Sequence, residues 1–316
     1  MSALAESILS GDPRGIARGI SLVENEPADG PALVRELFHR SGRAFLVGVT
    51  GAPGAGKSTL VDGLVTRWRK AGSSVGVLAV DPTSPFSGGA MLGDRVRMQA
   101  HAQDAGVFIR SMATRGHLGG LARATNDAAL VLDAAGKDFV AIETVGVGQD
   151  EVEIARTADV SVVVLVPGMG DEVQALKAGV MEIADIFVVN KADREGADRT
   201  VAEIESLLGL QSYPRGEWCP TIVRTEATTG RGVDELVDDI TRFRTESRTL
   251  EPRRRTRAQA QLRSILAVRL LQQVEAGISE LEMGTIVDRI VARAIDPYSA
   301  ADEVLSGGAK NARHLL

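Results

Sequence analysis

The stretch "FLVGVTGAPGAGKSTLVDGLVTRW", Phe45 to Trp68, sets the reading of the whole chain. It opens on an apolar run, passes through a glycine-rich turn, and continues into apolar residues at helical spacing. Leu60, Val61, Leu64, Val65 and Trp68 form one stripe, and Gly72 follows as a helix C-cap. The turn fits G-x-x-x-x-G-K-[ST], and a strand before it with a helix after it is the context in which that pattern cradles phosphates. Gly51, Gly54 and Gly56 let successive backbone N–H groups turn inward, with Ala52, Pro53 and Ala55 between them. Lys57 is expected to reach the β- and γ-phosphates, and the Ser58 hydroxyl to ligate Mg²⁺. Thr59 continues the helix, whose N-terminus adds its positive end to the site.

Outward from this stretch, six more apolar runs follow: "SVGVLAVD", "GVFIRS", "DFVAIET", "VSVVVLV", "IFVVN" and "TIVRT". They are continuous rather than alternating in polarity, as strands buried on both faces are. With helical segments between them, they predict an α/β fold built on a doubly wound, mostly parallel sheet. Residues 1–40 read as an N-terminal helical extension, 41–245 as the nucleotide-binding domain, and 246–316 as a C-terminal helical arm. In the arm, "EPRRRTRAQAQLRSILAVRLLQQVEAGI" makes a long helix with Leu262, Ile265, Leu266, Leu270, Leu271 and Val274 on one broad face. That face packs either on its own domain or on the same helix of a second subunit. The run Arg253-Arg254-Arg255 reads as a solvated helix start, since no aromatic residues are interleaved to suggest nucleic acid. "LEMGTIVDRIVARAI" is a second helical stretch, ending before Pro297.

Composition narrows the class. The chain has 316 residues and a net charge of −6, which gives no general attraction to nucleic acid or to an anionic membrane. Cys219 is the only cysteine, so an intrachain disulfide is excluded and a reducing compartment suits the chain. The start lacks the basic and apolar regions of a secretory signal, and the longest apolar run falls far short of the roughly 20 residues of a spanning helix. A cytoplasmic location is expected.

The base is read from "IFVVNKAD", which ends a strand with Asn190-Lys191-Ala192-Asp193. The Asp193 carboxylate can accept from both N1–H and the 2-amino group of guanine, whereas adenine would face it with an unprotonated N1. Leaving such groups unsatisfied costs a few kcal/mol, enough for a large preference. Lys191 would lie along the base. A further strand end carries Glu143-Thr144-Val145-Gly146, where most P-loop GTPases show Asp-x-x-Gly. Glu143 can offer a carboxylate to Mg²⁺, and Gly146 can approach the nucleotide. Asp81 ends another strand and Asp94 lies in the loop beyond it. Either they join the metal site or they cap turns and helices.

These stretches, with "VDPTSPFSGGAMLGDRVRM", "TRGHLGGLARAT", "IETVGVGQ" and "PGMGDEVQALKAG", make the chain resemble the methylmalonyl-CoA mutase-associated GTPases, the MeaB family of SIMIBI-class P-loop proteins. The resemblance covers nearly the whole chain. In that family the glutamate is the normal residue, so Glu143 marks a class rather than a defect. The resemblance implies Mg²⁺-site roles for Asp81, Asp94 and Glu143. It also implies a GTP/GDP-cycling chaperone that binds an adenosylcobalamin-dependent acyl-CoA mutase, gates cofactor loading and protects the enzyme, and a homodimer formed through the arm. Glu226 departs from the family's usual residue in the guanine-edge loop, where reading would come from backbone N–H near Ala227. The segment 167–179 looks like the family's third switch loop, with Gln174 and Lys177 three apart on one helical face; otherwise it is an ordinary strand–helix connection. Lys177 is the residue expected to reach the catalytic centre when this loop reorders, beside Lys57, Asp81, Asp94 and Glu143. Rival readings fit less well. A metallochaperone would need clustered Cys and His, an ATPase or kinase for basic amino acids conflicts with the guanine motif, and a signal-recognition GTPase would need a Met-rich groove.

Overall fold

A computed structural model describes residues 1–25, 29–81, 101, 103–113, 120–144, 157–168, 183–214 and 217–312, the side chains of 81, 113, 120–122 and 307–312 excepted. Two compact units emerge, Met1–Arg257 and Ala258–Leu316.

In the first unit, seven strands form one sheet: β1 (Phe45–Gly51), β2 (Val75–Asp81), β3 (Val107–Ala113), β4 (Phe139–Thr144), β5 (Val160–Leu165), β6 (Ile186–Asn190) and β7 (Thr221–Thr225). Their order is β3-β2-β4-β1-β5-β6-β7, and every pairing is parallel. Each of the seven apolar runs is a strand. The reason lies in the burial: β1, β4, β5 and β6 are buried at every position, which only a sheet covered on both faces permits.

The two faces divide the helices. On one lie α4 (Lys57–Lys70) and α7 (Val233–Glu246), whose Leu60, Leu64, Trp68, Leu236 and Phe243 pack with Val47, Val77 and Val162. Trp68 stacks on Phe139 with ring centroids 4.5 Å apart. On the other face α5 (Gly120–Ala134) covers Leu78, Val80 and Ile142. The N-terminal helices α1 (Ala3–Leu9), α2 (Pro13–Asn25) and α3 (Gly30–Leu37) then cover α5, burying Ile8, Ile16, Ile20 and Leu37. Farther along the same face α6 (Ala197–Leu208) closes over Val163, Phe187 and Val189. The chain therefore winds both ways from β1, and the C-terminal ends of β1, β4, β5 and β6 open on one edge, where such folds place ligands.

At the opposite edge the arginine run departs from its solvated reading. Arg253 and Arg254 lie in the first turns of α8 (Leu250–Ala276) and grip two carboxylates that sit at the starts of β5 and β6. Arg253 donates two hydrogen bonds of 2.6 Å to Asp185, which also accepts from Ser161 N at 2.8 Å. Arg254 reaches Asp159 at 3.2 Å and Arg257 lies 3.3 Å from the same carboxylate, which also accepts from Leu46 N at 3.1 Å. Only Arg255 is exposed as expected. Asp159 and Asp185 are 1% and 2% exposed, so the arginines answer buried charge, a demand invisible in their own segment.

The second unit holds the rest of α8, then α9 (Glu280–Val291) and α10 (Pro297–Ala312). Leu262, Leu266, Leu270 and Leu271 are exposed along α8. A capping box of Ser279 and Glu282 starts α9, and Arg289 pairs with Glu303 across α9 and α10 at 2.7 Å. The sequence reading stops at Pro297 and so lacks α10. Proline instead opens this helix, with the Asp296 carboxylate accepting from Tyr298 N and Ser299 N. No helix among the described residues is long and apolar enough to cross a membrane.

Candidate nucleotide site

The glycine-rich turn joins β1 to α4 at the ligand-bearing edge. Gly51 has φ +136°, and a Cβ there would lie 2.1 Å from the Val164 carbonyl oxygen of the neighbouring strand. Gly56 has φ +92°, and its Cβ would lie 2.4 Å from Asn190 Nδ2. Both positions exclude a side chain on conformation and on space, which lets the loop lie against β5 and β6. Lys57, the first residue of α4, sends its ammonium back over the turn to Gly51 O at 2.6 Å and Ala52 O at 2.8 Å. The charge is thereby held over the loop, in front of the helix N-terminus. Pro53 and Gly54 are exposed at the tip, Ala55 is buried beneath, and Thr59 is half-buried.

Behind the lysine, Ser58 Oγ donates to Glu143 Oε1 at 2.5 Å. Both residues are buried, and Glu143 occupies the next-to-last position of β4, opposite Val49 of β1 and Ala79 of β2. Thr50 and Thr144 bring their hydroxyls together at 3.1 Å one step further along these strands. A serine hydroxyl and a carboxylate in contact at the foot of a phosphate loop present hard oxygen donors of the type Mg²⁺ takes.

The base motif closes the other side. Asn190 ends β6 buried, and its side chain ties three segments together. Its amide donates to Ala55 O at 2.8 Å, while its oxygen accepts from Thr225 Oγ1 at 3.0 Å and from Ala227 N at 3.1 Å. Lys191 adopts a left-handed φ of +56° and donates from Nζ to Gly54 O at 2.8 Å, so its stem runs beside the loop. Asp193 is exposed at the mouth. Glu226, the departure in the guanine-edge loop, turns away to pair with Arg231 at 2.8 Å and bridges to it through the backbone. That pair braces the loop and leaves the Ala227 N–H directed at Asn190. Thr225 was missed in the sequence. Its signal was its place at the C-terminal end of a strand, level with Asn190.

The structure thus brings Gly51, Lys57, Ser58, Glu143, Asn190, Lys191, Asp193 and Ala227 to one edge of the sheet. Asp81 ends β2 at the same edge, its side chain outside the description. Asp94, Gly146, Gln174 and Lys177 lie outside the described residues.

This geometry agrees with what the sequence is similar to. Residues 16–280 match the family "Methylmalonyl Co-A mutase-associated GTPase MeaB". The chain belongs to the MeaB family. A Pyrococcus horikoshii protein named provisionally as a GTPase is 52% identical over 96% of each chain. The mouse "Methylmalonic aciduria type A homolog, mitochondrial" is 33% identical, covering 96% of this chain and 78% of its own length. Among solved structures, "LAO/AO transport system kinase" matches with a TM-score of 0.69 at 26% identity, covering 96% of this chain and 95% of that one. As a MeaB protein the chain is a P-loop GTPase and a binder of GTP and GDP.

Proposed function

We propose that this protein is a GTP-driven chaperone of an adenosylcobalamin-dependent acyl-CoA mutase, methylmalonyl-CoA mutase first among them, working in the cytoplasm. It would gate cofactor loading and protect the mutase from inactivation. The family description and the name of the mouse relative support the partner. The observation that carries the switch is Asn190, which joins the phosphate loop, β6 and the guanine-edge loop through one side chain.

In this reading, Gly51 to Thr59 surround the phosphates and Lys57 leaves its carbonyl partners for the β- and γ-oxygens. Asp193 takes the guanine edge, Lys191 the base face and a backbone N–H near Ala227 the base oxygen. Ser58 and Glu143 fit Mg²⁺ by their oxygen donors, with Asp81 and Asp94 completing its surroundings, and the ion when bound neutralises phosphate charge. Gly146 closes on the nucleotide. The residue after it is Val147, which cannot hold an attacking water, so unassisted hydrolysis is slow. Mutase binding acts through the segment of Gln174 and Lys177. An acceleration of about 10²-fold, roughly 2.7 kcal/mol of transition-state stabilisation, is expected. Single-turnover assays with and without the mutase test this. Lys177→Ala should keep nucleotide affinity and unassisted hydrolysis while losing most of the acceleration. An equally accelerated mutant would remove Lys177 from the mechanism, and a wild-type rate indifferent to mutase would remove the partner.

The exposed leucines of α8 support a homodimer through the arm. Truncation after residue 250 would remove Arg253, Arg254 and Arg257 and so strip Asp159 and Asp185 of their partners, so the sharper test keeps the full chain. Leu262→Glu with Leu266→Glu and Leu270→Glu should halve the mass seen by light scattering at micromolar concentration. An unchanged mass would place the dimer contact elsewhere.

A further inference from the structure

A cavity of about 370 Å³ opens at the N-terminal ends of β1 and β4. It lies a full strand length from the phosphate loop, roughly 20 Å for seven residues at about 3.3 Å each. Leu9 and Arg40 come to its wall from the N-terminal layer, Arg43 from the approach to β1, Asp133 from the last turn of α5, and Lys137 and Asp138 from the turn between α5 and β4.

Most of the charge here is already committed. Asp133 accepts from the backbone N–H groups of Gly42, Arg43 and Ala44 at 2.5, 3.1 and 3.0 Å. Those bonds fix the course of the loop that presents Arg43, and they occupy both carboxylate oxygens. Asp138 accepts from Ser74 N and Ser74 Oγ at 2.7 and 2.8 Å, and these bonds hold its pKa below the ordinary value. Lys137 sends its ammonium to Gly106 O at 3.2 Å. Arg40 and Arg43 are different: among the described residues neither guanidinium has a carboxylate or carbonyl partner. Two unpaired arginines three residues apart thus border a cavity in a chain whose net charge is −6.

We propose that this cavity binds the phosphate group of a small soluble ligand, with Arg40 and Arg43 as its clamp. A guanidinium presents a planar fork of donors that matches phosphate oxygens two at a time, and two of them meet the charge of one phosphate group. The volume lies in the range of small-molecule sites, with room for a group the size of a nucleoside beside the phosphate. Leu9 supplies apolar wall. The site is separate from the GTP pocket and takes residues from both the N-terminal layer and the segments that lead into β1 and β4.

The test uses the full chain with Mg²⁺ and a non-hydrolysable GTP analogue in saturating amounts, so that the phosphate loop is filled. Calorimetric titration with inorganic phosphate and with AMP should show binding. Arg40→Gln combined with Arg43→Gln should raise the dissociation constant about tenfold or more, as expected for losing charge-assisted hydrogen bonds. Affinity for the GTP analogue should not change. Arg199→Gln, an exposed arginine on α6, serves as the control for general charge. Tighter binding of AMP than of phosphate would identify an organic phosphate as the ligand, and equal binding the free ion. No binding at millimolar concentration overturns the proposal. So does equal binding by the double variant, or equal weakening by Arg199→Gln.

Discussion

Asp193→Asn should weaken GDP binding by about 10²- to 10³-fold and bring xanthosine diphosphate to comparable or better affinity. The carboxylate can accept from N1–H and the 2-amino group together, and hydrogen bonds to a charged acceptor contribute about 1.5–3 kcal/mol each. Asparagine removes the charge and aims an amide N–H at the 2-amino group, donor against donor. Xanthine carries a carbonyl there, which that same N–H satisfies. Asp193 stands exposed at the mouth of the site while Asn190 and Lys191 are engaged with the phosphate loop. The substitution therefore tests recognition without disturbing the scaffold. Competition titrations with GDP, ADP and xanthosine diphosphate give the answer, and unchanged GDP affinity would place the base elsewhere.

Arg253→Ala should lower stability by about 3 kcal/mol at pH 7, the scale of breaking a buried ion pair by removing one partner. Arg253 is about one-third exposed, so water offsets part of the loss and the lower end of that range applies. The deficit should also depend on pH. Burial pushes the Asp185 pKa up, against the pull of Arg253 and of Ser161 N–H. A carboxyl with a raised folded-state pKa binds its proton more readily in the native state than in the unfolded one. Asp185 therefore costs stability as pH rises from the ordinary carboxylate value through its folded pKa, and the cost is relieved on acidification. Without Arg253 that pKa rises further and the window widens upward. The gap between variant and wild type should shrink as pH falls from 7 toward 5, read from urea unfolding. A gap below about 1 kcal/mol at pH 7, or one that grows on acidification, would mean the pair carries little charge burden.

How much of this was legible depends on how far each feature reaches along the chain. The strands announce themselves because burial on both faces forces continuous apolar runs such as "VSVVVLV", and all seven appear where the sequence places them. The phosphate loop and Asn190-Lys191-Ala192-Asp193 are equally local, being short motifs at strand ends. The arginine clamp is not local. Its acids stand 95 and 68 residues upstream of Arg254 and Arg253, and nothing in a basic run says that buried carboxylates await it. A faint signal exists in hindsight: "ADV" and "ADI", at 158–160 and 184–186, each put an aspartate at the threshold of an apolar strand. The Ser58–Glu143 contact is intermediate. Each residue was picked out for the same metal, but only the pairing of β1 with β4 brings them within 2.5 Å. The helix α10 was lost because Pro297 read as a stop when, behind Asp296, it is a start.

The layer formed by α1 to α3 also has a consequence for synthesis. Its apolar side chains, Ile8, Ile16, Ile20 and Leu37, are buried against α5, which begins 83 residues after Leu37 and 112 after Ile8. A ribosome adding about 5–20 residues per second needs roughly ten seconds to cover that distance. Throughout that time the first helices have emerged without the surface they will cover. These helices are thus made well before the surface that completes their packing, and they carry their apolar faces uncovered through that interval.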